Sequence, residues 1–237
     1  MATVHDLPEI HERLGEAFGV PVRQRGLDPL GELIQAILSQ RTSGANSRCA
    51  YQQLRERFPT WEAVRDAETD AVAGAIRVAG LARLKAPRIK AVLAQIAEAH
   101  GSLDLDFLSA MPAERAMAWL QRLPGVGPTT AACVLLFGAG LPVMPVDGGI
   151  HRTVRRLGLA PARATAEHVR ALLQHAVPPQ WVYPLHVNLI RHGRRICTPV
   201  RPRCEVCPLN DRCAYFLAHQ APRPAATYYT GGRPEQP

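Results

Sequence analysis

Residues 123–152 read LPGVGPTTAACVLLFGAGLPVMPVDGGIHR, and this stretch decides the fold. Gly125 and Gly127 lie close together at its start, and glycine tolerates the positive φ of a tight turn. Pro128 suits the first position of a helix, where its missing N–H costs nothing. The stretch therefore predicts a hairpin turn that opens into a helix, whose free N–H groups favour an anion such as a phosphate.

Apolar periodicity around this stretch predicts an all-α chain. Residues 28–40 carry one apolar helical face, made of Leu30, Leu33, Ile34, Ile37 and Leu38. No alternating run is long enough for a convincing strand. Further helical segments, separated by Pro or Gly, are expected at 45–58, 61–66, 69–77, 86–100, 113–122, 128–138, 148–157, 165–176 and 180–192.

Four cysteines near the end of the chain form the strongest metal-ligand pattern. Cys197, Cys204, Cys207 and Cys213 follow the spacing C-x6-C-x2-C-x5-C. Thiolates bind soft metals, and four of them on short, proline-stiffened loops fit either a tetrahedral zinc or a cubane iron–sulfur cluster. The pattern therefore predicts a metal site.

Charge and hydropathy bound the remaining possibilities. The 237 residues carry a formal net charge of +8, and all but two of the 28 basic residues are arginines. Arginine can bind phosphate bidentately, so the composition favours a polyanionic partner. No apolar run is as long as a membrane span. We expect a cytoplasmic protein that does not bind membranes, in which disulfides are disfavoured.

The hairpin Leu123-Pro124-Gly125-Val126-Gly127, the pair Val146-Asp147 and the cysteine array together resemble the helix-hairpin-helix DNA glycosylases, specifically the endonuclease III branch. The resemblance extends from about residue 28 to residue 215. It implies a monomer that is associated with the nucleoid. It also implies a [4Fe–4S] cluster instead of zinc.

The same resemblance implies two helical domains with a cleft between them. Residues 27–140 would form a six-helix barrel that contains the hairpin, and residues 1–26 and 141–217 would form an iron–sulfur cluster domain. Residues 218–237 have no apolar period and carry several prolines, which predicts a flexible tail.

Of two positions at the expected active site, Asp147 matches the family and Thr129 departs from it. The resemblance assigns glycosidic bond breakage to Asp147, although an aspartate before a helix can also simply cap it. It places Thr129 where a lysine attacks the sugar in the enzymes that also cut the strand, and threonine has no amine for a Schiff base. We expect Thr129 to cap its own helix or orient a water. Gly148-Gly149 replaces an expected Thr-His pair, which adds backbone freedom beside the aspartate.

DNA contacts are also implied by the resemblance. Gln40 would fill the gap left by a flipped base, and Leu81 would act as a wedge. Backbone groups of the hairpin would grip phosphates, and basic side chains of the cysteine loop would face DNA. The complete set of expected DNA-binding residues is Gln40, Thr42, Leu81, Gly125, Val126, Gly127, Thr130, Arg201 and Arg203. Cys49 and Cys133 are expected to be small buried hydrophobes.

The sequence thus predicts a base-excision-repair DNA glycosylase that acts on damaged or mispaired pyrimidines in double-stranded DNA, and that binds abasic sites. With Thr129 in the lysine position, the enzyme is expected to be monofunctional, with weak or absent AP lyase activity. Two alternatives stay open. One is a catalytically weak or inactive DNA-binding protein of the same fold, and the other is a bifunctional glycosylase/lyase that uses the amine of Lys85 or Lys90.

Overall fold

A computed structural model describes residues 3–24 and 26–220 of the chain. Within those residues the protein is all-helical and has no β-strand, so the predicted fold class is confirmed. The helices, numbered in chain order, are α1 Leu7–Phe18, α2 Pro29–Ser39, α3 Gly44–Arg57, α4 Trp61–Asp66, α5 Thr69–Ala75, α6 Ala82–His100, α7 Ala113–Leu120, α8 Pro128–Cys133, α9 Gly148–Leu157, α10 Ala166–Ala176, α11 Pro179–Arg195 and α12 Ala214–Gln220.

The helix α12 enters the segment that was expected to be a flexible tail. It ends at Gln220, so residues 218–220 are helical. The aromatic residues Tyr215 and Phe216 near its start pack against buried apolar side chains, which holds this short helix on the molecule. The rest of the expected tail, residues 221–237, lies outside the described residues.

Two groups of buried apolar side chains form separate cores. The first core is built by α2–α8 and contains side chains between Leu30 and Val143. The second core is built by α1 and by α9–α12, and it also receives Leu209 and Cys213 from the cysteine loop. The N-terminal helix therefore packs with the C-terminal part of the chain, while the residues between them form the first core.

The two cores meet at the end of the helix that follows the hairpin. After Cys133 the helix continues as a π-helical segment, Val134–Ala139. Leu135 of this segment is buried in the first core and Leu136 in the second. A Cβ atom at Gly138 would lie 2.6 Å from the Pro29 Cα, so only glycine allows this close approach to the start of α2. Residues 140–147, which are neither helix nor strand, then lead to the start of α9.

Candidate functional site

A cavity of about 630 Å³ opens between the two cores. Its walls come from the α2–α3 turn, from α8 and its π-helical continuation, from the segment before α9, and from α11. The residues that line it are Ser39, Thr42, Gly44, Thr129, Cys133, Phe137, Pro145, Asp147, His186, Val187, Ile190, Arg191 and Arg194. The two positions singled out for chemistry, 129 and 147, thus share one cavity with Thr42.

Asp147 lines this cavity and also caps the following helix. It is the N-cap residue of α9, and its Oδ1 accepts a hydrogen bond of 2.8 Å from the backbone N–H of Ile150. Its side chain is half-buried. The cap fixes one carboxylate oxygen. The two roles considered from the sequence, a cap and a cavity-facing carboxylate, are therefore compatible at this position.

Thr129 does not cap its own helix, which corrects one expectation. Gly127 is the N-cap residue of α8, and no side chain caps that helix. The Thr129 hydroxyl instead donates a hydrogen bond of 2.9 Å to the backbone carbonyl of Val146. The Val146 carbonyl lies in a segment that is neither helix nor strand, so regular secondary structure gives it no hydrogen-bond donor. The Thr129 hydroxyl supplies one from the other side of the cleft.

Both lysine side chains are already engaged with backbone carbonyls. Lys85 is only 2% exposed, and its Nζ donates to the carbonyls of Leu38 at 2.7 Å and Ala79 at 2.9 Å. Burial lowers the pKa of the Lys85 amine. The Lys90 Nζ donates to the Ala67 carbonyl. Neither lysine lines the cavity that contains Asp147.

The predicted hairpin is present, and glycine is required at its turn. Gly125 has φ +74°, and a Cβ there would lie 2.4 Å from the Nε of Arg88. The N–H of Val126 donates to the Leu123 carbonyl within the turn, and the Val126 side chain is buried. Val126 therefore shapes the hairpin and does not present a free N–H. Around Gly127 the surface is open, since a Cβ there would meet nothing within 4 Å.

Gln40 is held beside the hairpin. Its Oε1 accepts from Arg88 at 2.9 Å, and its Nε2 lies 3.4 Å from the Gly125 carbonyl. The next residue, Arg41, is exposed and has φ +56°, which is uncommon for a residue other than glycine. Of the two side chains, that of Arg41 reaches into solvent, whereas the Gln40 amide is occupied at both ends.

Leu81 is also strained and exposed. It has φ +52° in the left-handed region and stands at the N-cap of α6, where 48% of its surface is exposed. The left-handed conformation costs free energy for a bulky apolar residue, and residues strained in this way cluster at functional sites. Of the remaining expected DNA-binding residues, Thr130 is half-buried, while Arg201 and Arg203 are exposed in the cysteine loop.

The four cysteines of the array line one pocket against α9 and α11. Burial, followed by the charges of the other cysteines, raises the pKa of the Cys207 thiol to about 11. Four thiolates would therefore repel one another strongly here unless a cation held them together. Within the part of the chain that is described, no three His, Cys, Asp or Glu side chains converge on a single-ion site.

Basic side chains surround the same pocket and point donors at the sulfurs. His192 is 1% exposed, and its Nε2 lies 3.2 Å from the Cys207 Sγ. The Arg156 Nη1 donates to the Cys197 Sγ at 3.4 Å, and Arg152 donates twice to the Cys197 carbonyl. Hydrogen bonds and positive charge toward sulfur are the surroundings expected of an anionic iron–sulfur centre. The four cysteines are the residues that would hold it.

Two protein-family models match this chain. Residues 34–179 match the HhH-GPD superfamily base excision DNA repair protein. The chain belongs to the HhH-GPD superfamily. Residues 197–213, which contain the cysteine array, match the iron–sulfur binding domain of endonuclease III, and this HhH-GPD protein has a [4Fe–4S] cluster.

Relatives of known name include two bacterial endonucleases III. The enzyme of Thermotoga maritima is 33% identical over 196 residues, which are 83% of this chain and 87% of that protein. The enzyme of Rickettsia felis is 31% identical over 185 residues, which are 78% and 82% of the two chains. The chain spans much less of some other relatives: 64% of one from Arabidopsis thaliana and 10% of Protein ROS1C from Oryza sativa.

Solved structures share the fold. A trapped covalent intermediate of endonuclease III with DNA superposes with a TM-score of 0.79 at 24% identity and covers 92% of this chain and 99% of its own. A thermostable thymine-DNA glycosylase superposes with a TM-score of 0.76 at 21% identity, covering 91% and 97%. No helix among the described residues is both long and apolar enough to span a membrane.

Several cavity residues were not foreseen from the sequence. His186, Arg191 and Arg194 lie on one face of α11, a spacing that also describes an ordinary amphipathic helix. His186 is 5% exposed, and burial lowers its pKa to about 4, so it is neutral at neutral pH. Cys133 was expected to be a small buried hydrophobe, but it is half-buried and lines the cavity. Burial raises the pKa of its thiol to about 12. Cys49 is half-buried as well.

Proposed function

We propose that this HhH-GPD protein is a DNA N-glycosylase that removes damaged or mispaired pyrimidines from double-stranded DNA. The observation that carries the proposal is the half-buried Asp147 carboxylate on the wall of a cavity of about 630 Å³. A base within a duplex cannot reach such a cavity, so the nucleotide has to be flipped out. The thymine-DNA glycosylase among the structural neighbours motivates pyrimidines as the first substrates to test.

In the proposed reaction, Asp147 acts on the sugar. Breakage of the C–N bond develops positive charge on the sugar ring, and a nearby carboxylate stabilises that charge. The same carboxylate can accept a proton from the water that attacks the sugar. The hydrogen bond from Ile150 to Oδ1 limits the rotation of the Asp147 side chain, so the carboxylate is already oriented before substrate binds.

We further propose that AP lyase activity is weak or absent. A β-lyase needs an amine that can form a Schiff base with the abasic sugar. Thr129 offers a hydroxyl that is bonded to the Val146 carbonyl, and both lysines donate to carbonyls outside the cavity. The alternative of a bifunctional enzyme that uses Lys85 or Lys90 would require either side chain to leave these partners.

For DNA binding we propose the hairpin, the two strained turns and the cysteine loop. Leu81 would enter the duplex as a wedge, and Arg41 would fill the gap more readily than Gln40, whose amide is engaged. Arg201 and Arg203 would contact phosphates. The cluster would brace the loop that carries these two arginines. We propose a monomer as the binding unit.

The test of glycosylase activity is a panel of duplexes that contain uracil, thymine glycol or a G·T mismatch. Wild type is compared with Asp147→Asn, which keeps the shape and the cap acceptor but removes the charge. Base release from at least one duplex, reduced about 100-fold or more in the variant, is expected. Tight binding of every lesion duplex with no release would instead establish the inactive DNA-binding protein.

The lyase proposal has its own test. Borohydride reduction on abasic DNA traps a Schiff base as a covalent adduct, and endonuclease III of Thermotoga maritima serves as the comparison. We expect no adduct above background from this protein. An adduct at the level of the comparison enzyme would contradict the proposal, and its loss in Lys85→Arg or Lys90→Arg would identify the amine.

A further inference from the structure

The segment of residues 140–147 that leads to Asp147 is held by side chains from three different helices. Gln174 of α10 binds it twice, since its Nε2 donates to the Pro142 carbonyl at 2.9 Å and its Oε1 accepts from the Met144 N–H at 2.8 Å. The Nδ1 of His186 on α11 lies 3.1 Å from the Pro145 carbonyl. The Thr129 hydroxyl on α8 donates to the Val146 carbonyl.

These contacts matter because the segment has little regular secondary structure to fix it. Residues 140–147 are neither helix nor strand, and their backbone groups need partners from elsewhere. Met144 and Val146 are buried in the second core. Apolar contacts are non-directional, so they fix how deeply these side chains lie more than how the backbone is oriented. On one side the Asp147 carbonyl accepts from the His151 N–H of α9, and on the other side its backbone is held by the hydrogen bonds to the two carbonyls that precede it.

Those two hydrogen bonds come from opposite walls of the cavity. His186 lies on α11 and packs with the second core, whereas Thr129 lies on α8, in the helix that starts at the hairpin. His186 alone would tie Asp147 to the cluster side of the molecule. The Thr129 contact ties it also to the hairpin side, where DNA is proposed to bind.

We propose that Thr129 is a positioning residue that holds the Val146 carbonyl and so fixes the Asp147 carboxylate in the cavity. This inference rests on the proposed function of Asp147. In this chain the position at which a lysine would attack the sugar carries a tether for the carboxylate. The threonine then contributes to a monofunctional site through its hydroxyl and not only through its size.

Two substitutions separate the hydroxyl from the volume of the side chain. Thr129→Val keeps a similar shape and leaves the Val146 carbonyl without its partner, while Thr129→Ser keeps the donor. Thr69→Val is the matched control, because Thr69 is also a half-buried threonine, does not line the cavity and is outside the expected DNA-binding set. Unfolding curves of all three variants show whether each is folded.

The first measurement needs no DNA. The Ile150 N–H donates to Asp147 Oδ1, so its hydrogen-exchange rate, measured by NMR on the free protein, reports whether the carboxylate stays in place. Loss of one hydrogen bond changes such an equilibrium by about three- to tenfold. We expect this acceleration in Thr129→Val and less than about twofold in Thr129→Ser and Thr69→Val. Equal rates in wild type and Thr129→Val would overturn the proposal.

The second measurement reads the carboxylate through a charged ligand. Duplexes carrying a cationic pyrrolidine abasic analogue or a neutral tetrahydrofuran analogue differ mainly in charge at the sugar. The ratio of the Kd for the neutral analogue to the Kd for the cationic analogue is expected to be well above one in wild type and close to one in Asp147→Asn. We expect this ratio to fall about three- to tenfold in Thr129→Val and to stay at the wild-type value in Thr129→Ser. A Thr129→Val ratio equal to wild type would contradict positioning by the hydroxyl.

The two proposals fail in different ways. If wild type shows no preference for the cation and releases no base, the proposed function of Asp147 fails, while the Ile150 exchange rate still decides whether Thr129 holds the segment. If wild type releases base and Thr129→Val does so at the wild-type rate with unchanged Ile150 exchange, the tether fails and the glycosylase assignment stands.

Discussion

At the residue scale, position 129 decides which chemistry the cavity can support. Thr129 lines the same cavity as Asp147, so a lysine there would bring an amine close to the sugar. Thr129→Lys is expected to give a borohydride-trapped adduct with abasic DNA, about tenfold or more above wild type. Thr130→Lys is the control, since that side chain does not line the cavity. A variant that binds abasic DNA normally and forms no adduct would show that the lysine position alone is insufficient.

Glu32 on α2 gives a prediction about stability and pH. Burial, and then the charge of Asp28, raises the pKa of its carboxyl to about 7. The unfolded chain releases this proton near pH 4.3, so between the two values the folded state holds more protons and stability falls as pH rises. Between pH 5 and pH 8, wild type should lose about 1–2 kcal/mol more unfolding free energy than Glu32→Gln. Urea unfolding at both pH values measures this, and parallel losses in the two proteins would contradict it.

Residue-scale contacts are also where sequence reasoning stops. That position 129 is the place of a lysine follows from the family resemblance, and the lack of an amine there follows from the residue type. The hydrogen bond from Thr129 to Val146 cannot be predicted in this way. It joins residues 17 positions apart through the packing of α8 against the segment that precedes α9. Likewise, nothing in the residues around Lys85 shows that its amine is buried between two carbonyls.

At the element scale, the hairpin permits a test in which stability and DNA binding separate. Gly125→Ala places a Cβ at φ +74° against Arg88, and we expect a loss of about 1–2 kcal/mol in unfolding free energy. Gly127→Ala meets open space at φ −89°, but Gly127 is the N-cap of α8 and alanine caps less well than glycine, so we expect a loss below about 1 kcal/mol. DNA affinity of Gly127→Ala should nevertheless fall about tenfold if the hairpin approaches a phosphate closely. Thermal unfolding and fluorescence anisotropy measure the two effects.

The helices themselves were largely predictable, and the reason is periodicity. The segment expected at 61–66 is α4 with the same bounds, and α2 lies within the expected 28–40. Breakers such as Pro59 before α4 and Pro112 before α7 mark helix ends in the sequence. The π-helical turn after Cys133 carries no such mark, since it arises where one helix has to serve two cores and approach α2 at Gly138.

At the scale of the whole molecule, segments near the two ends of the described residues meet through charged contacts. Arg13 of α1 pairs with Asp211 at 2.7 Å, and Arg212 pairs with Asp6 at 2.8 Å. The cysteine loop is thereby joined to the N-terminal helix, although the partners are about as far apart in sequence as the described chain allows. Because these ion pairs are partly exposed, each contributes little to the free energy of folding. They specify which segments lie side by side more than they stabilise the fold.

Two arginines of the cysteine loop lead to a prediction about the salt dependence of DNA binding. Arg201 and Arg203 are exposed, and each phosphate contact contributes about 0.9 to the slope of log K against log salt. Arg201→Ala/Arg203→Ala should therefore flatten that slope by about 2 while leaving the preference for an abasic analogue over intact duplex unchanged.

The matched control removes two other arginines. Arg65 and Arg170 are each paired with a neighbouring carboxylate, Asp66 and Glu167. Arg65→Ala/Arg170→Ala lowers the net charge of +8 by the same amount. If total charge alone steered the protein, both double variants would flatten the slope equally. If the braced loop contacts phosphates, only the loop variant will do so, because counterions are released where side chains meet the DNA backbone.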